Sequence, residues 1–126
     1  MSEHRGEPRE VVMSYIEALD NQRYEKAVAF LHEGVRIRGP AGETFGKPSD
    51  FVEMLRKYRG RYHLKKVFDD GPDVCVLYVL ETAGSKVYMS SWYQVREGKI
   101  VSIQTVFDPG AFGPQPRSDS ARGSGR

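Results

Sequence analysis

The second half of the chain constrains the fold most. It divides into four runs of about ten residues, 61–70, 73–82, 85–96 and 99–108, separated by Gly71-Pro72, Ala83-Gly84 and Glu97-Gly98. Each break is a turn signal, and loops this short join only antiparallel neighbours. The runs therefore form a meander of hairpins. Strands of that length twist and coil, so the sheet curves.

Its faces are legible from alternation. In 73–82 the residues Val74, Cys75, Val76, Leu77, Tyr78, Val79 and Leu80 make both faces apolar, so both need cover. In 85–96 one face carries Val87, Met89, Ser91, Tyr93 and Val95, and the other carries Tyr88, Ser90, Trp92 and Gln94. Aromatics among small polar groups have the composition of an interface. A homodimer through the face holding Tyr88 and Trp92 is the expected cover. In 61–70, simple alternation groups Tyr62, Leu64 and Phe68 on one face and His63, Lys65 and Val67 on the other.

The first half is helical in period. Pro8 suits a first helical position, and Val11, Val12, Tyr15, Ile16 and Leu19 form one apolar stripe over 8–19. Asp20-Asn21 breaks this helix and is placed to cap a second. The second carries Tyr24, Ala27, Val28 and Leu31, holds His32 in its last turn and stops at Gly34. A short strand is expected at Val35–Arg38, a turn at Gly39–Gly42 and another short strand near Thr44-Phe45. A third helix runs from about Pro48 to Gly60 with Phe51, Met54, Leu55 and Tyr58 on its apolar side. The expected architecture is α+β: three N-terminal helices packed on the concave face of a cone-shaped, mixed or antiparallel sheet. One domain over 8–112 is flanked by polar segments, 1–7 and 113–126, too poor in apolar residues to order themselves.

Composition narrows the function classes. The net charge is +2. With Arg117, Arg122, Arg126 and Asp119 of the tail and Glu3, Arg5 and Glu7 of the start set apart, the 8–112 domain is nearly neutral. That gives no general signal for nucleic acid or an anionic membrane. The polar start MSEHRGEPRE has no leader pattern, and no apolar run approaches the ~20 residues of a membrane helix. Cys75 is the single cysteine, expected to be a buried, inert thiol. A cytoplasmic setting is the expectation. No Cys/His set has zinc spacing, and Asp69, Asp70 and Asp73 around Gly71-Pro72 lack calcium-loop spacing. No phosphate loop or nucleophile elbow occurs, so no metal and no cofactor is implied. The basic run Arg56, Lys57, Arg59, Arg61, Lys65 and Lys66 reads as a solvated face, with a site for an acidic partner as the alternative.

The helix–helix–strand–helix–four-strand order resembles the nuclear transport factor 2-like superfamily, in its SnoaL-like and ketosteroid isomerase-like branches. The resemblance rests on Tyr15 within SYIEAL, on GPAGETFGKP, and on REGKIVSIQTVFDP. It implies a pocket between sheet and helices and frequent dimers across the outer sheet face. It also allows isomerases, cyclases, dehydratases, epoxide hydrolases and non-enzymatic binders.

Functional positions transfer residue by residue. Tyr15 matches the isomerases' helix-one oxyanion donor. Their general-base aspartate, just before the turn proline, falls on Gly39 in Arg38-Gly39-Pro40. Their protonated aspartate falls on Ser91. The hydrolases' and cyclases' aspartate, three residues before the end of the Phe-Asp pair, falls on Thr105 ahead of Phe107-Asp108. Glycine offers no base, and a lone hydroxyl is a poor one.

The leading expectation is therefore a small-molecule pocket protein without the standard catalytic carboxylates. Its ligand would be apolar or cyclic, contacted by Tyr15, Gly39, Tyr58, Tyr78, Met89, Ser91, Tyr93, Ile103, Thr105 and Phe107. One alternative is an isomerase, cyclase or dehydratase in which Tyr15 acts with a displaced base, His63 or Asp108. Another is a protein–protein module using the basic run. The bland readings of these groups are a core tyrosine for Tyr15, a strand-edge histidine for His63 and a turn residue for Asp108.

Overall fold

The four runs are four strands. In the computed structural model, which describes residues 7–44 and 47–112, they are β3 (Arg61–Asp70), β4 (Asp73–Thr82), β5 (Ser85–Arg96) and β6 (Lys99–Val106). Before them come α1 (Pro8–Asp20), α2 (Tyr24–Ala29), β1 (Leu31–Gly39), β2 (Gly42–Thr44) and α3 (Pro48–Tyr58). Phe45, expected at the end of β2, the expected ends 1–6 and 113–126, and His4 lie outside the described residues. The strands form one curved, unclosed six-stranded sheet in the order β2-β1-β6-β5-β4-β3. Every pairing is antiparallel except β1 with β6, which is parallel, so the sheet is mixed.

Turn chemistry fixes the hairpins. Gly71 and Gly98 both have positive φ, and Glu97 joins Gly98 there with φ 51°. Two successive left-handed residues give the twist that joins antiparallel strands in a two-residue loop. The core lies between the inner sheet face and the helices. Val12, Tyr15, Ile16 and Leu19 of α1 and Phe51 and Val52 of α3 are buried against Val74, Val76, Val87, Tyr93, Ile100 and Ile103.

Several local expectations fail for identifiable reasons. The second helix ends at Ala29, not Gly34. Leu31 pairs with Ile100, and Ile100 N–H donates to the Phe30 carbonyl at 2.8 Å, so parallel pairing with β6 pulls 31–34 into the sheet. His32 is therefore a strand residue, and its Nδ1 accepts the Gly34 N–H at 2.9 Å. Asp20 does not cap α2. It ends α1, and its carboxylate accepts the Tyr62 N–H at 2.8 Å and Arg61 Nε–H at 3.0 Å, tying the helix to the start of β3. The third helix stops at Tyr58, where Arg59 turns left-handed with φ 46°.

In β3 a bulge between Leu64 and Lys66 inverts the alternation. Tyr62 faces inward before it and Val67 after it, so Phe68 lies on the outer face opposite Cys75, not with Tyr62. Cys75 is only partly buried, on that outer face, with Sγ 3.8 Å from Ser90 Oγ.

The bulge also explains part of the basic run. β3 is an edge strand, and a bulge flanked by Lys65 and Lys66 resists edge-to-edge pairing with another chain. Three of the run's six residues have partners among the described residues. Arg56 meets Glu53 at 3.1 Å and lies over the Tyr24 ring, Arg61 holds Asp20, and Lys66 lies over Phe68.

Candidate functional site

Curvature leaves a gap between the inner face of the sheet and α1 and α3. It is a cavity of about 210 Å³. Leu19, Ile37, Phe51, Leu80, Met89 and Ile103 supply apolar wall, while Gly39, Pro40, Ala41 and Gly42 line it from the β1–β2 turn. The cavity brings together Tyr15, Gly39, Tyr58, Tyr78, Met89, Ser91, Tyr93, Ile103, Thr105 and Phe107. These are the positions expected from the sequence to contact a ligand.

The strands place them by period. Tyr78 of β4 pairs with Met89, Ser91 of β5 pairs with Thr105, and Tyr93 pairs with Ile103, all on the concave face. Gly39 ends β1 two residues beyond Ile37 on the same face, and a Cβ built there meets nothing within 4 Å.

The polar groups of the cavity wall form a run of hydroxyls. Tyr78 Oη and Ser91 Oγ are 3.0 Å apart, and Ser91 Oγ and Thr105 Oγ1 are 2.9 Å apart. Ser91 is fully buried. The Tyr93 hydroxyl also interacts with Ser91 and Tyr78, offsetting a little of what burial does to the phenols. Tyr15 is 2% exposed and packs edge-on against Tyr93, with ring centroids 6.1 Å apart. Among the described residues nothing hydrogen-bonds to its hydroxyl. Burial raises the pKa of Tyr15 and Tyr93 well above the ordinary tyrosine value and raises Tyr62 and Tyr78 too, so all four phenols are neutral donors. Arg38 is the one formally charged residue among the lining. Its guanidinium meets Glu43 at 3.5 Å, on the side of the sheet away from the cavity.

The two alternative bases lie elsewhere. His63 pairs with Val79 on the outer face, and its Nε2 lies 2.8 Å from Glu81 Oε1, with the imidazole about half exposed (48%). Asp108 is exposed, and its Oδ1 accepts the Gly110 N–H at 3.0 Å as the chain enters a 3₁₀ turn at Pro109–Phe112. Neither lines the cavity. Among the described residues no three His, Cys, Asp or Glu side chains are grouped to hold a metal, and no helix is long and apolar enough to cross a membrane.

Sequence reasoning did not assign Tyr62 or Leu80 to the cavity. Tyr62 lies 5.7 Å, ring to ring, from Tyr78. Its pairing with Leu80 was the available signal, obscured by the bulge two residues on.

The wider comparison agrees with this architecture. A search of curated proteins found no match. Among solved structures, an NTF2-like protein of unknown function from Cytophaga hutchinsonii is 28% identical, with a TM-score of 0.75 over 81% of this chain and 90% of that one. An LEH-like epoxide hydrolase from M. tuberculosis is 17% identical, with a TM-score of 0.65 over 81% and 83%. An epoxide hydrolase/cyclase-like enzyme of pyran ring formation in polyether salinomycin is 15% identical, with a TM-score of 0.73 over 82% and 92%. The last two likenesses are of fold alone. The model of the SnoaL-like domain matches residues 12–103, most of the described chain, and the protein accordingly belongs to the SnoaL-like family of NTF2-like α+β proteins.

Proposed function

We propose that the protein binds a small, largely apolar cyclic molecule in the cavity between α1, α3 and the sheet, without carboxylate-driven acid–base chemistry. One observation carries this reading: apart from Arg38, which turns to Glu43, the side chains of the described lining are apolar or carry hydroxyls, and no described Asp, Glu or His lines the cavity. Few, fixed polar groups in an apolar concavity are the usual make-up of a ligand site. Proton abstraction beside a carbonyl needs a base within hydrogen-bond reach of the substrate, and hydroxyls with raised pKa values do not supply one. The displaced-base alternative loses support from the positions of His63 and Asp108, both outside the cavity lining.

A thermal-shift screen of cyclic ketones and phenols tests the proposal. A binder should raise the melting temperature with concentration, as expected for a ligand that favours the folded state. Gly39→Phe, which fills the mouth without a backbone clash, should abolish that shift. A shift that survives this substitution places the ligand elsewhere and refutes the reading.

We also propose that a second copy of the chain covers the outer sheet face. Tyr88 (75% exposed), Phe68, Leu77, Trp92 and Val106 are exposed large apolar residues on that face. Their number on one sheet surface exceeds the single scattered exposures normal on a monomer.

A further inference from the structure

We infer that the cavity takes its ligand only in the uncharged form, so that an ionisable phenol binds as the phenol and is released as it becomes the phenolate. This deepens the ligand-binding reading above and rests on it.

Three features of the cavity lead there. Among the described residues no lysine or histidine lines it, and its arginine, Arg38, is held by Glu43 on the other side of the sheet. An anion entering would lose its water and meet no counter-charge, a cost that hydroxyl donors repay only in part. The hydroxyls of Tyr78, Ser91 and Thr105 are already bonded to one another, so most of their donors are spent within the chain. What remains includes one end of that chain and the hydroxyls of Tyr15 and Tyr62, to which no described residue hydrogen-bonds. A hydroxyl chain can also reverse its direction, presenting an acceptor to a ligand O–H as readily as a donor to a ligand carbonyl. Both partners suit a neutral oxygen.

The cavity also reports on itself. Among the described lining residues are five phenols, and burial disfavours the ionised form of four of them, Tyr15, Tyr62, Tyr78 and Tyr93. A guest phenol in the same surroundings meets the same penalty. Size limits the guest further. An apolar cavity of about 150 Å³ holds benzene, so 210 Å³ corresponds to one or two fused rings.

The test uses 4-nitrophenol, a one-ring phenol that ionises near neutrality and whose phenolate alone is yellow. Binding is followed by absorbance and calorimetry across its ionisation, with the unmodified protein and Gly39→Phe. The expected result is bleaching of the yellow phenolate on adding protein near the ligand's own pKa. Affinity should fall about tenfold for each pH unit above it. The Gly39→Phe protein should do neither. Deepening of the yellow colour, or affinity that rises with pH, would show that the phenolate is preferred. That overturns the inference and leaves the binding cavity standing. Uptake of the neutral ketone 1-indanone without 4-nitrophenol at any pH also overturns the inference and leaves the cavity standing, and uptake of neither overturns both.

Discussion

Ser91 Oγ and Thr105 Oγ1 lie 2.9 Å apart on neighbouring strands, inside the cavity. The resemblance read from the sequence maps enzyme carboxylates onto both positions. Here the two positions satisfy each other, with Tyr78 as the third member at 3.0 Å from Ser91. Ser91 is the central link, and it is fully buried. Ser91→Ala would leave the hydroxyls of Tyr78 and Thr105 without this partner. Unfolding in urea should show a loss of about 1–3 kcal/mol, the usual cost of stranding buried polar groups. A loss below about 0.5 kcal/mol, less than one ordinary hydrogen bond, would mean that the hydroxyl chain does not hold the strands together.

The outer sheet face gives a prediction about assembly. Tyr88 is 75% exposed, in the first half of β5. Tyr88→Asp should shift sedimentation from dimer toward monomer, because a charge left unpaired in a closed interface is expensive. Trp92→Asp should do the same. Its interpretation is less direct, since Trp92 Nε1–H also donates to Asp73 at 2.8 Å and the new carboxylate would sit beside that one. An unmodified protein that sediments as a monomer at high micromolar concentration refutes the dimer.

Much of this architecture was legible because strand period and turn residues are local properties. Gly71, Gly98 and the residues around them mark the ends of β3, β4 and β5 without reference to the rest of the chain. The inward set Val87, Met89, Ser91, Tyr93 and Val95 follows from alternation alone. Two of the failures share one cause, which is long-range pairing. Leu31 to Gly34 continue a helical pattern, yet Ile100, nearly seventy residues away, recruits them to the sheet. The bulge after Leu64 is set by the fit of β3 to β4, and no residue within β3 announces it. The site was legible to the same extent. The expected ligand contacts lie among the cavity lining, but Leu19 on α1, Ile37 on β1, Leu80 on β4 and Tyr62, next to the bulge, were not among them.

Asp20 links α1 to β3 and should make folding sensitive to acid. Burial pushes its pKa up. The hydrogen bond from Arg61, the Tyr62 N–H and the charges of Arg61 and His63 outweigh that, and the net shift is downward. A carboxyl group whose pKa is lower in the folded than in the unfolded chain stabilises fully above its unfolded value, and loses that contribution as pH falls through the folded one. The unmodified protein should therefore lose stability on acidification below the ordinary aspartate range of about 4. Asp20→Asn should be less stable at neutral pH and should show a flatter acid limb in melting temperature against pH. Equal slopes for the two proteins would remove Asp20 from the account.

Gly39 offers a test of the proposal that the cavity binds without a catalytic base. It ends β1 at the cavity wall, its φ is not in the left-handed region, and a Cβ there meets no atom within 4 Å. Gly39→Asp should therefore fold with little loss and place a carboxylate beside the cavity opposite no competing base. Tyr15 remains as a donor for the developing enolate oxygen. A steroid exceeds 210 Å³, so the substrate should be a monocyclic β,γ-unsaturated ketone such as 3-cyclohexenone. The variant should convert it to the conjugated isomer faster than buffer does, with a rate that rises as the new carboxyl ionises. Adding Tyr15→Phe should slow it again, since an oxyanion donor is worth more in the transition state than in the bound ketone. Position matters here to within about an ångström, so a modest rate is the expected result. Turnover by the unmodified protein, equal to that of Gly39→Asp, would show that another group already serves as base and would defeat the proposal that the cavity only binds.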